Sequence, residues 1–124
     1  MASPIISERA FAFAVRIVAL SKRLSSRDAT GRHMASQLLK CGTSIGANVE
    51  EAQEGQTKPD FIAKLSVARK ETRETIFWLR LARASGVSTI DETAWELDEA
   101  RQLLAMIVKA IRTAQASPAR GQNG

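Results

Sequence analysis

Ile6, Ala10, Phe13, Ile17, Leu20 and Leu24 follow one another at intervals of 4, 3, 4, 3 and 4 residues. A strand returns to the same face every second residue and an α-helix every 3.6, so this rhythm belongs to a helix with one side turned to a core. The pattern breaks at SSRDATG, residues 25–31, and resumes with Leu38, Gly42, Ile45, Val49 and Ala52. It stops again at EGQTKP, where Gly55 ends the second helix and Pro59 suits the first turn of a third. Phe61, Leu65, Ala68, Thr72, Thr75, Leu79 and Ala82 make the third seam, opened by Thr57 and Asp60 at the spacing of a weak capping box and closed at Ser85-Gly86. Leu97, Ala100, Leu104, Ile107, Ile111 and Ala114 make the fourth, with Thr89 as a cap and with Asp91 and Glu92 suiting the positive end of its helix dipole. Four amphipathic helices, short connections and no alternating strand pattern predict an all-α fold, an antiparallel up-down four-helix bundle over residues 1–114, followed by a polar tail at 115–124.

A chain of 124 residues with 44% hydrophobic content suits one domain with one core. The single cysteine, Cys41, excludes an intrachain disulfide and fits a reducing, cytoplasmic setting. No apolar run reaches the roughly 20 residues of a membrane span, and Glu8 and Arg9 interrupt the start before a signal-like region develops. Membrane association is therefore not expected. The balance of 18 Lys and Arg against 13 Asp and Glu, net +5, favours an anionic partner, either a nucleic acid or an acidic protein surface.

The stretch LLKCGTSIGANVEEAQ, residues 38–53, holds the least ordinary helix composition in the chain. A phosphate-cradling glycine loop would need a preceding strand and a Gly-Lys-Ser/Thr ending, and neither is present. Gly42 and Gly46 instead lie one turn apart on or beside the core seam, where glycine lets a neighbouring element come close; each costs about 1 kcal/mol of helix propensity relative to Ala. One histidine, His33, and one cysteine cannot make a metal cluster, and no nucleophile, base and orienting group occur together. The reading is non-enzymatic: no catalytic residue, no metal and no cofactor.

Beside the core seams run second stripes. Cys41, Ser44, Asn48 and Glu51 share one flank of the second helix, and Lys64, Val67, Glu71, Glu74, Trp78 and Leu81 one flank of the third. A large aromatic among polar groups at the edge of a bundle suits contact between subunits, so Ser44, Asn48, Glu51, Lys64, Glu71, Glu74, Trp78 and Leu81 are the interface candidates. The simpler alternative is that Trp78 only widens the monomer core.

The run SIGANVEEA at 44–52, followed by DFIAKLSVARKETRETIFWLRLA at 60–82, resembles the 23S rRNA-intervening sequence proteins, also called four helix bundle proteins. Ser44, Ile45, Gly46, Asn48 and Glu51 fall on the first part of the family motif, and Asp60, Phe61, Lys64, Lys70, Glu71, Glu74, Trp78 and Leu79 on the second. Phe77 stands where Tyr is common and lacks its hydroxyl. The resemblance implies a cytosolic helical protein that assembles as a ring-like homo-oligomer of five copies and has no established catalytic activity. More distantly it points to accessory proteins of diversity-generating retroelements, which bind a reverse transcriptase and nucleic acid; those partners are expected here by analogy alone.

Two roles follow. In one, the oligomer is an adaptor for RNA or DNA. Arg69, Arg73 and Arg80 on the opposite flank of the third helix, with Arg9, Arg16 and Arg23 at intervals of seven on the first, contact phosphates. In the other, it is a structural or protein-interaction ring whose first-helix arginines pair with Glu96, Asp98 or Glu99.

Overall fold

The computed structural model describes residues 4–118 apart from Gln56. They form α1 (Pro4–Ser25), α2 (Ala29–Gln53), α3 (Lys58–Ala84) and α4 (Ile90–Ala116), with no strand among the described residues. Each helix packs on the next, and α1 meets α4 to close the bundle. The neighbours run antiparallel. Gly46 faces Ala10 and Gly42 faces Ile17 across α1 and α2, and Glu51 reaches Lys64 while His33 meets Trp78 across α2 and α3. Lys58 and Arg83 join opposite ends of α3 to opposite ends of α4.

All six seam residues of α1, the five of α2 and the seven of α3 are buried as the spacing predicts. Phe13, Ile17, Leu20, Leu38, Ile45, Leu65, Leu79 and Ile107 are fully enclosed. Burying side chains of this size contributes about 1.5–3 kcal/mol each, and this apolar seam is the main favourable term of the fold. Thr72 and Thr75 sit inside it without leaving polar atoms unsatisfied, because their hydroxyls donate to the carbonyls of Ala68 and Glu71, both at 2.7 Å. On α4 two expected seam residues, Leu104 and Ala114, are only half-buried, and Leu103 is fully buried because it lies on the side of the helix that carries Glu96 and Glu99 toward α1.

The connections are tighter than the breaks in hydrophobic pattern suggest. SSRDATG looks like a seven-residue interruption, yet only residues 26–28 separate the first two helices. Asp28 adopts extended backbone and its carboxylate accepts from the Gly31 N–H at 2.7 Å, so α2 starts at Ala29 and Gly31 is inside its first turn. Glycine is required there because a Cβ would collide with the Leu24 carbonyl oxygen. Thr57 and Thr89 cap α3 and α4 by accepting from the N–H groups of Asp60 and Glu92, at 3.2 and 3.1 Å. Ser85 ends α3, and Gly86 turns the chain at φ 78°, a region in which side-chain-bearing residues are strained. α4 runs on to Ala116, two residues into the segment read as tail. The rest of that predicted tail, from residue 119, lies outside the described residues.

Candidate functional site

The charged residues divide by helix face, and the division follows from which helix stands opposite. On the α1/α4 face, Arg9 makes a two-point contact with Glu99 (Nε to Oε2 2.9 Å, Nη2 to Oε1 2.6 Å) and also donates to Gln102 at 2.7 Å. Arg16 lies 3.6 Å from the Glu96 carboxylate and stacks over Trp95 at 4.3 Å from the ring centroid. Arg23 stands 3.5 Å from Glu92, which also receives Arg27 at 2.7 Å. The Arg27 hydrogen bond, with Arg23 assisting, holds the Glu92 carboxyl below the usual carboxylate range. Arginines every seven residues on α1 therefore meet glutamates at 92, 96 and 99, descending the antiparallel α4. Asp98 makes no ion pair among the described residues and accepts from Gln102 at 2.8 Å, although its charge lies near enough to favour the Arg9 cation.

The α3/α4 face is different. Arg73 and Arg80 are exposed and Arg69 half-buried, and none makes an ion pair among the described residues. At 100° per residue, Arg101 and Arg112 lie on the side of α4 that flanks α3, and both are exposed and equally unpaired. Arg83 is the exception on this side: it donates to the Thr93 hydroxyl at 2.8 Å and the Ile90 carbonyl at 3.0 Å, joining the two helix ends. The α4 arginines were not among the residues singled out from the sequence. Their signal, a spacing of eleven on the side away from Glu92, Glu96 and Glu99, can be read only once the α4 face that meets α1 is known.

The α2/α3 flank brings the expected interface residues together. Lys64 bonds Glu51 at 3.0 Å, Asn48 donates to the Ser44 carbonyl at 2.8 Å, and Ser44 donates to the Lys40 carbonyl at 2.8 Å. Glu71 and Glu74 are half-buried and unpaired among the described residues. Cys41 is buried next to them, and desolvation, with the nearby carboxylates adding, pushes its thiol up to about 11. A thiol so held is a poor nucleophile, in keeping with its reading as a small core residue. Trp78 is half-buried against the core, with His33 edge-on at 5.8 Å and Phe77 at 5.3 Å. Trp78 thus does widen the core, and Leu81 is half-buried beside it. The apolar groups that stand out on α3 are Phe77, 52% exposed, and Val67, 40% exposed.

No group of three or more His, Cys, Asp and Glu side chains could hold a metal ion among the described residues, and no described helix is long and apolar enough to cross a membrane.

Residues 4–109 match the family model of the 23S rRNA-intervening sequence protein. Among solved structures, the chain is similar to a protein of the S23 ribosomal protein family from Bacteroides thetaiotaomicron, at 34% identity and a TM-score of 0.79, covering 86% of this chain and 97% of that one. No functionally curated protein matches the chain.

Proposed function

The chain belongs to the 23S rRNA-intervening sequence protein family, and from that premise we propose that it is a non-enzymatic, oligomeric adaptor that holds nucleic acid by its phosphate backbone. The carrying observation is the α3/α4 face, where Arg69, Arg73, Arg80, Arg101 and Arg112 make no ion pair among the described residues. Unpaired guanidiniums on one side of a chain of net charge +5 give the field a polyanion recognises. Arg9, Arg16 and Arg23 fall outside this surface, since α4 carboxylates already stand against them. A closed ring of five copies, built through the α2/α3 flank, would repeat the basic face around an axis, so modest contacts by single copies would add through multivalency.

The second reading, an interaction ring that binds no nucleic acid, draws on the α1/α4 ladder, which uses arginine periodicity for packing alone. Fluorescence anisotropy with labelled duplex DNA and structured RNA separates the two. The adaptor binds both with little sequence preference, loses affinity steeply between about 50 and 200 mM salt, and is impaired by Arg73→Glu/Arg80→Glu without loss of helicity. Absence of binding at about 50 mM salt by an assembled protein would leave the interaction ring as the function.

A further inference from the structure

Three aromatic side chains stand exposed among the described residues, Phe11 at 63%, Phe77 at 52% and Trp95 at 38%, and their surroundings differ. Trp95 is already engaged: Phe13 stacks on it with ring centroids 6.3 Å apart, and the Arg16 guanidinium lies 4.3 Å over the ring. Phe11 has Ser7, Glu8, Ala14 and Val15 one helical turn away, and none of them is a cation. Phe77 has Arg73 and Arg80 one turn away in either direction and Lys70 two turns back. All three are exposed and make no ion pair among the described residues. From the helix rise and turn, Arg73 lies about 40° round α3 from Phe77 and about 6 Å along it, and Arg80 about 60° and about 4.5 Å, both displaced toward α4. Glu74 and Leu81, the other residues one turn away, lie toward α2 and are half-buried. Trp78 stands perpendicular to the Phe77 ring, at 81° and 5.3 Å, and is itself packed against the core, so the ring is braced while the residue stays half open to solvent.

We propose that Phe77 is a stacking platform for an unpaired nucleobase, with Arg73 and Arg80 holding the phosphates on either side of it, so that this face of α3 favours single-stranded or looped nucleic acid over a fully paired duplex. This rests on the phosphate-binding reading given above and adds the class of strand. A duplex keeps its bases stacked on one another and offers the ring nothing flat to meet, whereas a base splayed out of a loop or a single strand does. Every base has such a face, so the preference is for unpaired nucleotides and not for a sequence. The isolation of the ring favours a base over an apolar peptide. Val67, the other large apolar side chain that protrudes on α3, is ten residues and about 15 Å away, so Phe77 stands singly between cations and not in a continuous apolar patch.

The test compares a labelled mixed-sequence single strand with the same strand carrying a central run of abasic residues, equal in length and in phosphates, by fluorescence anisotropy at about 50 mM salt. The wild type binds the base-bearing strand at least about fivefold more tightly than the abasic one. Phe77→Leu, which keeps an apolar side chain but has no aromatic face, binds both strands alike at the affinity of the abasic one, and Phe77→Trp restores the preference. Arg73→Glu/Arg80→Glu weakens both strands together. Circular dichroism and sedimentation show that the variants keep the helicity and the mass of the wild type. A wild type that binds neither strand nor duplex would overturn the phosphate-binding reading and this platform together. A wild type that binds both strands equally, or a Phe77→Leu protein that keeps the preference, would overturn the platform and leave the phosphate-binding face standing. So would a Phe77→Leu protein that sediments lighter than the wild type, since the ring would then belong to a contact between copies.

Discussion

Alanine replacement at Gly31, Gly42 and Gly46 should give three different stability changes, with signs set by what the added methyl meets. All three positions are helical, so each substitution gains about 1 kcal/mol of propensity in principle. At Gly46 the new Cβ would lie 3.4 Å from the Ala10 carbonyl oxygen and 3.7 Å from its Cβ, at the near edge of ordinary contact, so most of that gain survives and stability rises by about 0.5–1 kcal/mol. At Gly42 the same atom would come within 2.8 Å of Ile17 Cγ2 and 3.0 Å of Cγ1. Ile17 is fully buried and β-branched, hence stiff in a helix, and overpacking of about 1–3 kcal/mol cancels or exceeds the propensity gain. Gly42→Leu, with no room to turn away, is destabilised across that range. At Gly31 the obstacle is the Leu24 main chain, which no rotamer change can move, so Gly31→Ala is the worst of the three alanine variants. Urea titration followed by helical circular dichroism, at one fixed protein concentration because assembly adds to apparent stability, gives the three values. If Gly42→Ala were as stabilising as Gly46→Ala, or Gly31→Ala were harmless, the close-packing account of this glycine-rich helix would be wrong.

Two further outcomes follow from buried ionisable groups. Cys41, raised on folding from 9.0 to about 11, keeps its proton longer folded than unfolded, so its contribution is complete below about pH 9 and is lost as pH rises through the folded value. Wild type should lose more stability than Cys41→Ala between about pH 8.5 and 11, and a thiol reagent at pH 8 should label it only after unfolding. Glu96 is 1% exposed with neither carboxylate oxygen hydrogen-bonded among the described residues, so Glu96→Met should be neutral or more stable by about 1–4 kcal/mol, whereas Arg16→Ala, which strands the carboxylate, should cost about 1–2 kcal/mol once its half-exposed guanidinium is discounted for screening. Thermal and urea unfolding of both variants checks the opposite signs.

The seam of α3 is readable residue for residue because periodicity reports a property each helix carries alone: which side is apolar. Helix ends were less legible. Ser25 to Gly31 is rich in loop-forming residues, but α1 runs on through Ser25, and an aspartate cap with a glycine inside the first turn makes residues 29–31 the start of α2. Trp78 misled in a different way. Its size and flanking position suggest an exposed aromatic, yet contact with the core and with His33 covers it, while the adjacent Phe77 points outward. One residue is 100° of helix turn, and sequence spacing near the edge of a seam cannot resolve which of two adjacent aromatics a neighbouring helix will cover.

The arginines show the deeper limit. Arg9, Arg16 and Arg23 repeat every seven residues and Arg73 and Arg80 do too, so in sequence both sets are the same motif. Their difference arises only from the opposing helix. α4 presents Glu92, Glu96 and Glu99 to α1, and on its α3 side presents Arg101 and Arg112. The first arrangement places each of the three arginines against a carboxylate of the neighbouring helix, so their charge is taken up in the contact between α1 and α4. The second leaves charge of one sign gathered on a face, where self-repulsion opposes folding and is offset when an anion arrives. Net charge alone therefore predicted a partner without locating it. The three-dimensional pairing subtracts the arginines already committed to α4, and unpaired arginines that remain among the described residues gather on the α3/α4 face.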